Sequence, residues 1–483
     1  MSSRQIFKGA SILTLSQIII AVCTYVRNIL VARMISVEDY GIATTFAITL
    51  AMVEMASNLA FDKILVQDER GGDDDMLASV HFVHFLKSLA TGLVLLLVAP
   101  LMASLFDLHD LVWAFQILAL IPVLRGLSHF DLIVSQRYMH FLPTAIADAV
   151  PQVLAVAIAY PFGVWLGDYR VMLFLVLLQP AAFTVLSHFY AKRPYRWLIR
   201  RDLIKKKLGF AWPLLVNGIL MFAVLNGDKA IVSHSYSMEV LGWYSVAFGL
   251  TLMPTLLFTR ICSVLLLPVL SKNFRDNKER FGISCTQSVA FCSGVASFSM
   301  LVFLIAGSTI IYICYGERYM EGTKVIGLLG VMQAVRIILL APTIIAISYS
   351  HTKNAMYSNI VRVVVIPIAI YFALSGFNVE WIVMIGILGE LLALAFCTYL
   401  LELGDSAYQY LRATFFNVLL FVVLALAAYI LIVPLMLVDG SLPSLLVNIF
   451  IGVLVASIGL VLHLVFEKEL RVIAIQKIRS FRS

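Results

Sequence analysis

Long apolar runs follow one another along almost the whole chain, separated by short polar stretches. About 20 apolar residues are enough for a helix to cross the hydrocarbon core of a bilayer. Because backbone polar groups in that core must be satisfied within the segment, such runs predict helices. Fourteen runs meet this requirement, at residues 9–35, 42–67, 77–106, 110–134, 144–166, 169–191, 208–234, 242–271, 281–314, 323–347, 356–376, 379–402, 413–437 and 443–466. The pattern therefore predicts an all-α polytopic membrane protein.

The composition agrees with this interpretation. The 483 residues are 61% hydrophobic and only 13% charged, whereas soluble domains are about 25% charged. The first apolar run continues too far for a cleaved signal peptide, so we expect it to be retained as the first helix. The six cysteines lie inside or at the ends of apolar runs and none forms a C-x-x-C pair. This favours buried apolar roles over disulfides or metal ligation.

Lysine and arginine in the predicted loops indicate the orientation. If the N-terminus is cytoplasmic, all of these loop residues except Arg170 and Arg318 lie on the cytoplasmic side. Cytoplasmic loops of membrane proteins are enriched in Lys and Arg. The bias therefore predicts that both termini are cytoplasmic, with a basic loop at 192–207. It also accounts for the net charge of +7 without a nucleic-acid partner.

A short sequence pattern occurs twice. Residues 27–43 (RNILVARMISVEDYGIA) align without a gap with residues 228–244 (DKAIVSHSYSMEVLGWY), and the identical pairs include Ser36 with Ser237, Glu38 with Glu239 and Gly41 with Gly242. Each copy joins two long helices through S-x-E-x-x-G, in which Ser suits a helix cap and Gly permits tight backbone geometry. Because both copies begin on the same predicted side, they are interpreted as parallel repeats.

The repeat predicts how the chain is divided. We expect an N-terminal six-helix lobe at 1–200, a second six-helix lobe at 205–405, an additional helix pair at 413–466 and a basic cytoplasmic tail at 467–483. The two parallel lobes are expected to surround a central cavity, because transporters built from repeats bind substrate between them.

Charged residues within the predicted helices are the candidates for function. A charge at the bilayer centre costs about 2.5–3.5 kcal/mol on insertion scales, so chains keep it where it faces a wet cavity or a partner. The basic residues are Arg27, Arg33, Lys63, Lys87, Arg125, Lys229, Arg260, Lys324, Arg336 and Arg362, and the acidic residues are Glu54, Asp62, Asp131, Asp148, Asp228 and Glu390. The basic excess predicts a positive cavity that attracts an anion, and Arg suits phosphate through its bidentate fork.

Some of these charges have a structural alternative. Three basic residues lie near helix ends and are expected to snorkel towards the interface: Arg33, Lys324 and Arg362. In two places an acidic and a basic residue are adjacent in sequence, and each of them either forms an ion pair with a neighbouring helix or lines the cavity: Asp62–Lys63 and Asp228–Lys229. Arg27, Arg260 and Arg336 lie deeper and have no opposite charge one turn away, which favours the cavity. Isolated histidines are more often structural than ligands, and His81 and His129 are interpreted in this way.

We therefore predict seven substrate-binding residues: Arg27, Lys63, Lys87, Arg125, Lys229, Arg260 and Arg336. The sequence contains no metal-ligand spacing and no G-x-x-x-x-G-K-[ST] loop. We expect no catalytic residues, no metal, no cofactor and no direct use of ATP.

The start of the chain resembles a known family. The segment IFKGASILTLSQIIIAVCTYVRNILVARMISVEDYGIATTFAI is similar to the opening of bacterial polysaccharide-unit flippases, which belong to the multidrug/oligosaccharidyl-lipid/polysaccharide exporter superfamily. In that family the first helix leads through ARxLxxxxYG into the second. The corresponding residues here run from Ala32-Arg33-Met34-Ile35 to Tyr40-Gly41, with Met34-Ile35 where Leu is usual. The length, the two-lobe repeat and the basic middle loop agree with the resemblance.

The resemblance implies a multi-pass protein of the bacterial inner membrane. Such a protein translocates undecaprenyl-pyrophosphate-linked oligosaccharide units by alternating access, for O-antigen, capsule or exopolysaccharide assembly. The implied partners are that oligosaccharide, membrane lipid and other polysaccharide-assembly proteins. Coupling to a proton or a sodium ion is also implied, and the candidate carboxylates are Asp62, Asp228 and Glu390. Arg27 and Arg260 are similar in placement to cavity arginines of lipid II flippases.

Other functions are weighed against this one. A drug/cation antiporter of the same superfamily predicts a cavity dominated by acidic and aromatic groups, whereas basic residues are in excess here. A non-transporting membrane enzyme of polysaccharide assembly needs a large periplasmic loop for its catalytic residues, and the predicted periplasmic loops are short. Buried charges do not favour a purely structural scaffold. The prediction is therefore a transporter and not an enzyme.

Overall fold

Two compact helical units make up the structure, a computed structural model that describes residues 3–56, 65, 72–138, 140–199, 201–351, 353–401, 403, 407–432 and 442–466. No strand occurs within these ranges. The first unit comprises Met1–Asn226 and Tyr236–Gly242, and the second comprises Gly227–Ser235 and Trp243–Ser483. The predicted lobe boundaries at 1–200 and 205–405 stay a prediction, and the predicted tail at 467–483 lies outside the described residues.

Helices of the first unit follow the apolar runs closely. They are α1 (Ser3–Met34), α2 (Val37–Ala56), α3 (Asp74–Leu105), α4 (Val112–Ile117), α5 (Leu120–Gly126), α6 (Asp131–Arg137), α7 (Leu142–Leu166) and α8 (Arg170–Tyr190), with a 3-10 turn at His109–Leu111. The long α9 (Arg201–Ser235) contributes residues to both units, and so does α10 (Met238–Asp276).

The remaining helices belong to the second unit. They are α11 (Lys278–Tyr315), α12 (Thr323–Ser348), α13 (Lys353–Val364), α14 (Ile366–Leu374), α15 (Val379–Tyr399), α16 (Ala407–Ala427) and α17 (Leu442–Phe466), with a 3-10 turn at Glu317–Gly322 and a π turn at Ala428–Ile432.

Helix α11 is the centre of the second unit, where it packs against α12, α16 and α17. Its buried face is rich in small residues, including Cys285, Cys292, Ser293 and Ala296. Small side chains let membrane helices approach closely, which replaces the hydrophobic effect as a source of helix association in lipid. All six cysteines of the chain are free. Four of them are buried, in agreement with the predicted apolar role.

Eleven helices of the described part are long and apolar enough to cross a membrane, or twelve if one bent pair is counted as a span. These helices establish a multi-pass membrane protein. The predicted number of fourteen is not confirmed by this count. The second predicted helix, at 42–67, is described only as far as Ala56.

One predicted helix is wrong in detail. The apolar run at 110–134 was expected to form a single span, but the chain bends by 49° between His109–Gly126 and Asp131–Arg137. The backbone N–H groups at the bend are bound by side chains instead of helical carbonyls. The N–H of His129 donates to Ser187 Oγ (2.8 Å), that of Phe130 to His81 Nε2 (3.0 Å) and that of Asp131 to His129 Nδ1 (3.1 Å). Both histidines therefore stabilise a break in the helix.

The two repeated turns have the same local structure. The backbone N–H of Asp39 donates to Ser36 Oγ (3.0 Å), and that of Val240 donates to Ser237 Oγ (3.3 Å). The serine of each copy therefore caps the helix that follows.

Both turns lie in the first unit and contact each other reciprocally. A Cβ atom at Gly41 would lie 1.9 Å from the Met238 carbonyl oxygen, and one at Gly242 would lie 2.1 Å from the Val37 carbonyl oxygen. Val37 and Met238 occupy the same position in the repeat, so the contact is made twice by equivalent residues. Glycine is required at both positions because a backbone carbonyl fills the space of a side chain.

We expect Gly41→Ala to lower the free energy of unfolding by about 1–3 kcal/mol, the usual cost of overpacking. The matched control is Gly249→Ala, because a Cβ atom at Gly249 meets nothing within 4 Å. Thermal unfolding midpoints of the purified protein in detergent would measure both. A Gly41→Ala midpoint equal to that of Gly249→Ala would contradict the close approach of the two turns.

Candidate functional site

Three helices of the second unit bring together a buried group of ionic side chains. Arg336 lies on α12, Arg362 on α13 and Glu390 on α15. Arg336 Nε donates to Glu390 Oε1 at 2.5 Å, and Arg362 Nε lies 2.9 Å from Glu390 Oε2. The exposed fractions of the three side chains are 9%, 15% and 3%. One carboxylate is thus shared by two arginines in the interior of the second unit, which leaves an excess of positive charge.

The close approach of α13 to α15 depends on Gly389, the residue before Glu390. A Cβ atom at Gly389 would lie 2.6 Å from Val365 Cγ2 and 3.7 Å from the Arg362 carbonyl oxygen. The absence of a side chain at this position allows Arg362 to reach Glu390 across the helix pair.

A second pair of charges of the same unit lies on α9. Asp228 accepts a hydrogen bond from the Tyr244 hydroxyl at 2.7 Å. Lys229 Nζ lies 4.2 Å from the centre of the Phe248 ring, a cation–π contact. Arg336 interacts electrostatically with Asp228 and Tyr244 as well as with Glu390. Three basic side chains and two carboxylates of the second unit therefore form one electrostatic network.

In the first unit, the predicted binding residue Arg27 on α1 is buried. It is 8% exposed. Its Nε and Nη2 atoms donate to Asn28 Oδ1 at 3.2 and 3.0 Å. Among the described residues no carboxylate forms an ion pair with Arg27. A guanidinium in this environment is available to bind an anion, because burial without a counter-charge is unfavourable.

Another basic group of the first unit surrounds Glu54. Arg125 Nη1 lies 2.5 Å from Glu54 Oε1, and Lys87 interacts electrostatically with both residues. The side chain of Arg125 is 51% exposed, so this pair is much less buried than that of the second unit. Arg125 also borders an open cavity of 420 Å³ that is lined by residues of five helices of the first unit.

The charges near the bent helix are structural. Asp131 is 6% exposed in its side chain and lies 3.4 Å from Arg193 Nε. It also accepts a hydrogen bond from the backbone N–H of Lys192 at 2.8 Å. Asp131 thus holds part of the basic loop against the first unit, and we assign it no binding role.

The structure places the predicted site residues in different surroundings. Lys229 and Arg336 share a network with the predicted ion-coupling residues Asp228 and Glu390, while Lys87 and Arg125 share Glu54. Arg260 lies on an exposed face of α10. The remaining two predicted residues lie outside the described part: Asp62 and Lys63.

The expected snorkelling of Arg362 is wrong. Its side chain is buried and paired with Glu390, because Gly389 opens space for it between α13 and α15. Arg33 and Lys324 are exposed, and Lys324 forms an ion pair with Glu321. Sequence reasoning also missed the roles of Tyr244 and Phe248. Their partners are 16 and 19 residues away, on another helix, so no local pattern in the sequence indicates them.

Comparison with known sequences points to polysaccharide assembly. The family described as polysaccharide biosynthesis protein matches residues 30–324. An uncharacterised membrane protein in the cps region of Klebsiella pneumoniae is 19% identical over 362 residues, which are 74% of each chain. The teichuronic acid biosynthesis protein TuaB of Bacillus subtilis (strain 168) is 20% identical over 418 residues, 84% of this chain and 85% of that protein.

Solved structures show the same fold. The lipid II flippase MurJ in an inward closed conformation has a TM-score of 0.71 at 14% identity, covering 95% of this chain and 99% of its own. An inward-facing multidrug resistance transporter of the MATE family, in the MOP superfamily, has a TM-score of 0.63 at 11% identity, covering 84% of this chain and 95% of its own. At these identities the likeness establishes the fold.

We expect Glu390→Gln to destabilise the protein by roughly 3–5 kcal/mol, because removing one partner of a buried ion pair leaves charge uncompensated. Here two guanidinium groups lose their shared anion. Thermal unfolding in detergent would measure the effect.

The matched control is Glu317→Gln, an exposed glutamate at the start of a 3-10 turn, which should change stability by less than about 0.5 kcal/mol. The double variant Arg362→Gln/Glu390→Gln should recover part of the loss, since it removes one of the stranded charges. Equal midpoints for Glu390→Gln and Glu317→Gln would show that the buried network does not stabilise the fold.

Proposed function

We propose that this chain, which belongs to the polysaccharide biosynthesis protein family, translocates lipid-linked oligosaccharide units across the bacterial inner membrane by alternating access. The proposed substrate is an oligosaccharide joined through a diphosphate to undecaprenyl. Its translocation would supply O-antigen, capsule or exopolysaccharide assembly, alongside other polysaccharide-assembly proteins. In this proposal the protein is a transporter without catalytic residues, and both termini are cytoplasmic, as the distribution of Lys and Arg predicts.

The relatives support the class of substrate. One is named for teichuronic acid biosynthesis and another for the cps region. One solved structure with the same fold, which covers 95% of this chain and 99% of its own, is that of a lipid II flippase. A lipid-linked sugar is consistent with these names.

The observation that carries the proposal is the buried positive charge without a full complement of anions. Arg27 has no carboxylate partner among the described residues. Arg336 and Arg362 share the single carboxylate of Glu390. Guanidinium groups bind diphosphate oxygens in a bidentate manner, and the bond is stronger where water is scarce. A neutral sugar alone would not require these charges.

In the proposed mechanism the undecaprenyl tail stays in the bilayer, while the diphosphate and the sugars enter the polar interior. We propose that the diphosphate meets basic residues of both units in turn: Arg27, Lys63, Lys87, Arg125, Lys229, Arg260 and Arg336. Anchoring a charged group inside the bilayer removes most of its transfer cost, because fixed charges replace its hydration.

Glu390 gives the mechanism a route to ion coupling. While its carboxylate is ionised, it occupies Arg336 and Arg362. We propose that a proton or a sodium ion on this carboxylate would release both guanidinium groups for the diphosphate. Asp228 is proposed to act in the same way on the neighbouring charges, and Asp62 is a third candidate.

A drug/cation antiporter is the second candidate, because the MATE transporter shares the fold. Its substrate would bind the carboxylates Asp228 and Glu390 directly. Both carboxylates already have partners, which disfavours this function: Tyr244 for Asp228, and two arginines for Glu390.

We expect Arg27→Gln to reduce translocation roughly tenfold to a hundredfold, the value of one hydrogen bond to a charged group. The measurement is polymer yield, together with lipid-linked units accumulating on the cytoplasmic face, in a strain whose chromosomal copy is deleted.

Arg33→Gln is the matched control, because Arg33 lies on the same helix but is exposed near its end. It should retain normal yield at equal protein level. Normal translocation by Arg27→Gln would remove this residue from the site, and normal translocation by the deletion strain would refute the proposed function.

A further inference from the structure

The cavity of the first unit has the size and the lining of a binding site. Its volume of 420 Å³ falls within the range of about 300–1,000 Å³ found for small-molecule pockets. Asp148 and Gln152 on α7 and Gln179 on α8 line it, beside the apolar ring of Phe183. Asp148 and Gln152 are four residues apart and therefore share one face of their helix. The diphosphate mechanism proposed above uses none of these side chains.

Two polar groups in the cavity have no partner among the residues that the structure describes. The carboxylate of Asp148 makes no hydrogen bond or ion pair with any residue that the structure describes. Arg125 also borders the cavity, but its guanidinium pairs with Glu54. The side-chain nitrogen of Gln179 is buried and has no acceptor in the described part of the chain. An acceptor and a donor therefore remain to be satisfied in the same cavity.

The orientation of the Gln179 side chain is fixed by its neighbour. Gln152 Nε2 donates to Gln179 Oε1 at 3.3 Å, so the Gln179 amide can present only its nitrogen to a ligand. The unused donor is a consequence of this contact.

Hydroxyl groups of a ligand are the best partners for the Asp148 carboxylate and the Gln179 nitrogen. A metal cation or a proton would satisfy the Asp148 carboxylate but leave the Gln179 nitrogen without an acceptor. A phosphate would satisfy Gln179 but would be repelled by Asp148. A hydroxyl group both donates and accepts, so neighbouring hydroxyls satisfy both side chains at once. The Phe183 ring and the neighbouring prolines would cover the apolar face of a sugar ring.

We propose that this cavity binds one sugar residue of the translocated oligosaccharide through its hydroxyl groups. The inference rests on the proposed function, because it assigns the diphosphate and one sugar of the lipid-linked oligosaccharide to two different sites. The arginines hold the diphosphate, and Asp148 and Gln179 hold a sugar. The sugar site would then select among repeat units that share the same lipid and the same diphosphate.

The test uses the full-length purified protein in detergent and two separate probes. One probe is the repeat-unit oligosaccharide released by mild acid from the polysaccharide of the host strain, and the other is inorganic pyrophosphate. Titration calorimetry measures both. Asp148→Leu and Gln179→Leu should each weaken the oligosaccharide roughly tenfold, the effect of a lost hydrogen bond in a buried site. Neither variant should weaken the affinity for pyrophosphate, and Asp148→Leu should leave that affinity equal or higher, because the lost carboxylate repels phosphate.

A conservative variant separates sugar binding from a cation or proton site. Asp148→Asn keeps an oxygen acceptor and should bind the oligosaccharide within about threefold of the wild type, because it loses only the charge contribution. Gln116→Leu is the matched control for the glutamine change, as Gln116 is exposed in the same unit and does not line the cavity. It should bind both probes normally.

The outcomes distinguish this inference from the proposed function. Unchanged oligosaccharide affinity in Asp148→Leu and Gln179→Leu, with polymer assembly still dependent on the gene, would overturn the sugar site and leave the flippase function standing. Loss of translocation in Asp148→Asn without any change in oligosaccharide binding would overturn it in favour of an ion-binding carboxylate. If deletion of the gene leaves translocation intact, both proposals fail together.

Discussion

The cost of placing a charge in hydrocarbon governs the arrangement of the polar residues of this protein. Each charged side chain at the bilayer centre costs about 2.5–3.5 kcal/mol on insertion scales, so each needs a partner, a solvated surface or a ligand. Asp131 is compensated by the basic loop, and Glu54 by Arg125. Glu390 is compensated twice, by Arg336 and Arg362. Basic groups outnumber the carboxylate at Glu390, and also at Glu54, which interacts with Lys87 as well as Arg125. This local excess of positive charge is the reason for proposing an anionic ligand.

Close backbone approach is the second constraint, and glycine satisfies it where charges or turns must meet. Gly389 brings α13 close enough to α15 for Arg362 to reach Glu390. Gly41 and Gly242 each accept a carbonyl group in place of a side chain. These two glycines hold equivalent positions in the repeat, so the internal similarity of the sequence corresponds to a reciprocal contact in the structure. Close packing thus explains the glycines of the repeated S-x-E-x-x-G pattern, and helix capping explains its serines.

Apolar run length was sufficient to predict the helices, because a bilayer leaves few alternatives for a long apolar segment. The bend at residues 127–130 was not predictable, since its N–H groups are bound by Ser187 and His81 from distant parts of the chain. The same limit applies to the site. The sequence indicates which helices carry charge, but Arg336 and Glu390 are 54 residues apart and their pairing depends on tertiary packing. The cavity around Asp148 is formed by five helices, and no single segment contains its pattern.

A lipid-linked oligosaccharide combines a charged diphosphate with neutral, hydroxyl-rich sugars, and no single environment binds both well. Charged hydrogen bonds contribute about 1.5–3 kcal/mol each, whereas neutral ones contribute about 0.5–1.5 kcal/mol. A site built only from arginines would hold the diphosphate but would not distinguish one sugar unit from another. A site built only from amides would discriminate sugars but would leave the diphosphate unstabilised in the bilayer. The proposed division into an arginine region and a region lined by Asp148 and glutamine amides resolves this conflict, because anchoring and discrimination are then assigned to different side chains. The amide contacts of Gln179 are neutral and therefore weak enough to exchange with water, which the proposed release of the sugars requires.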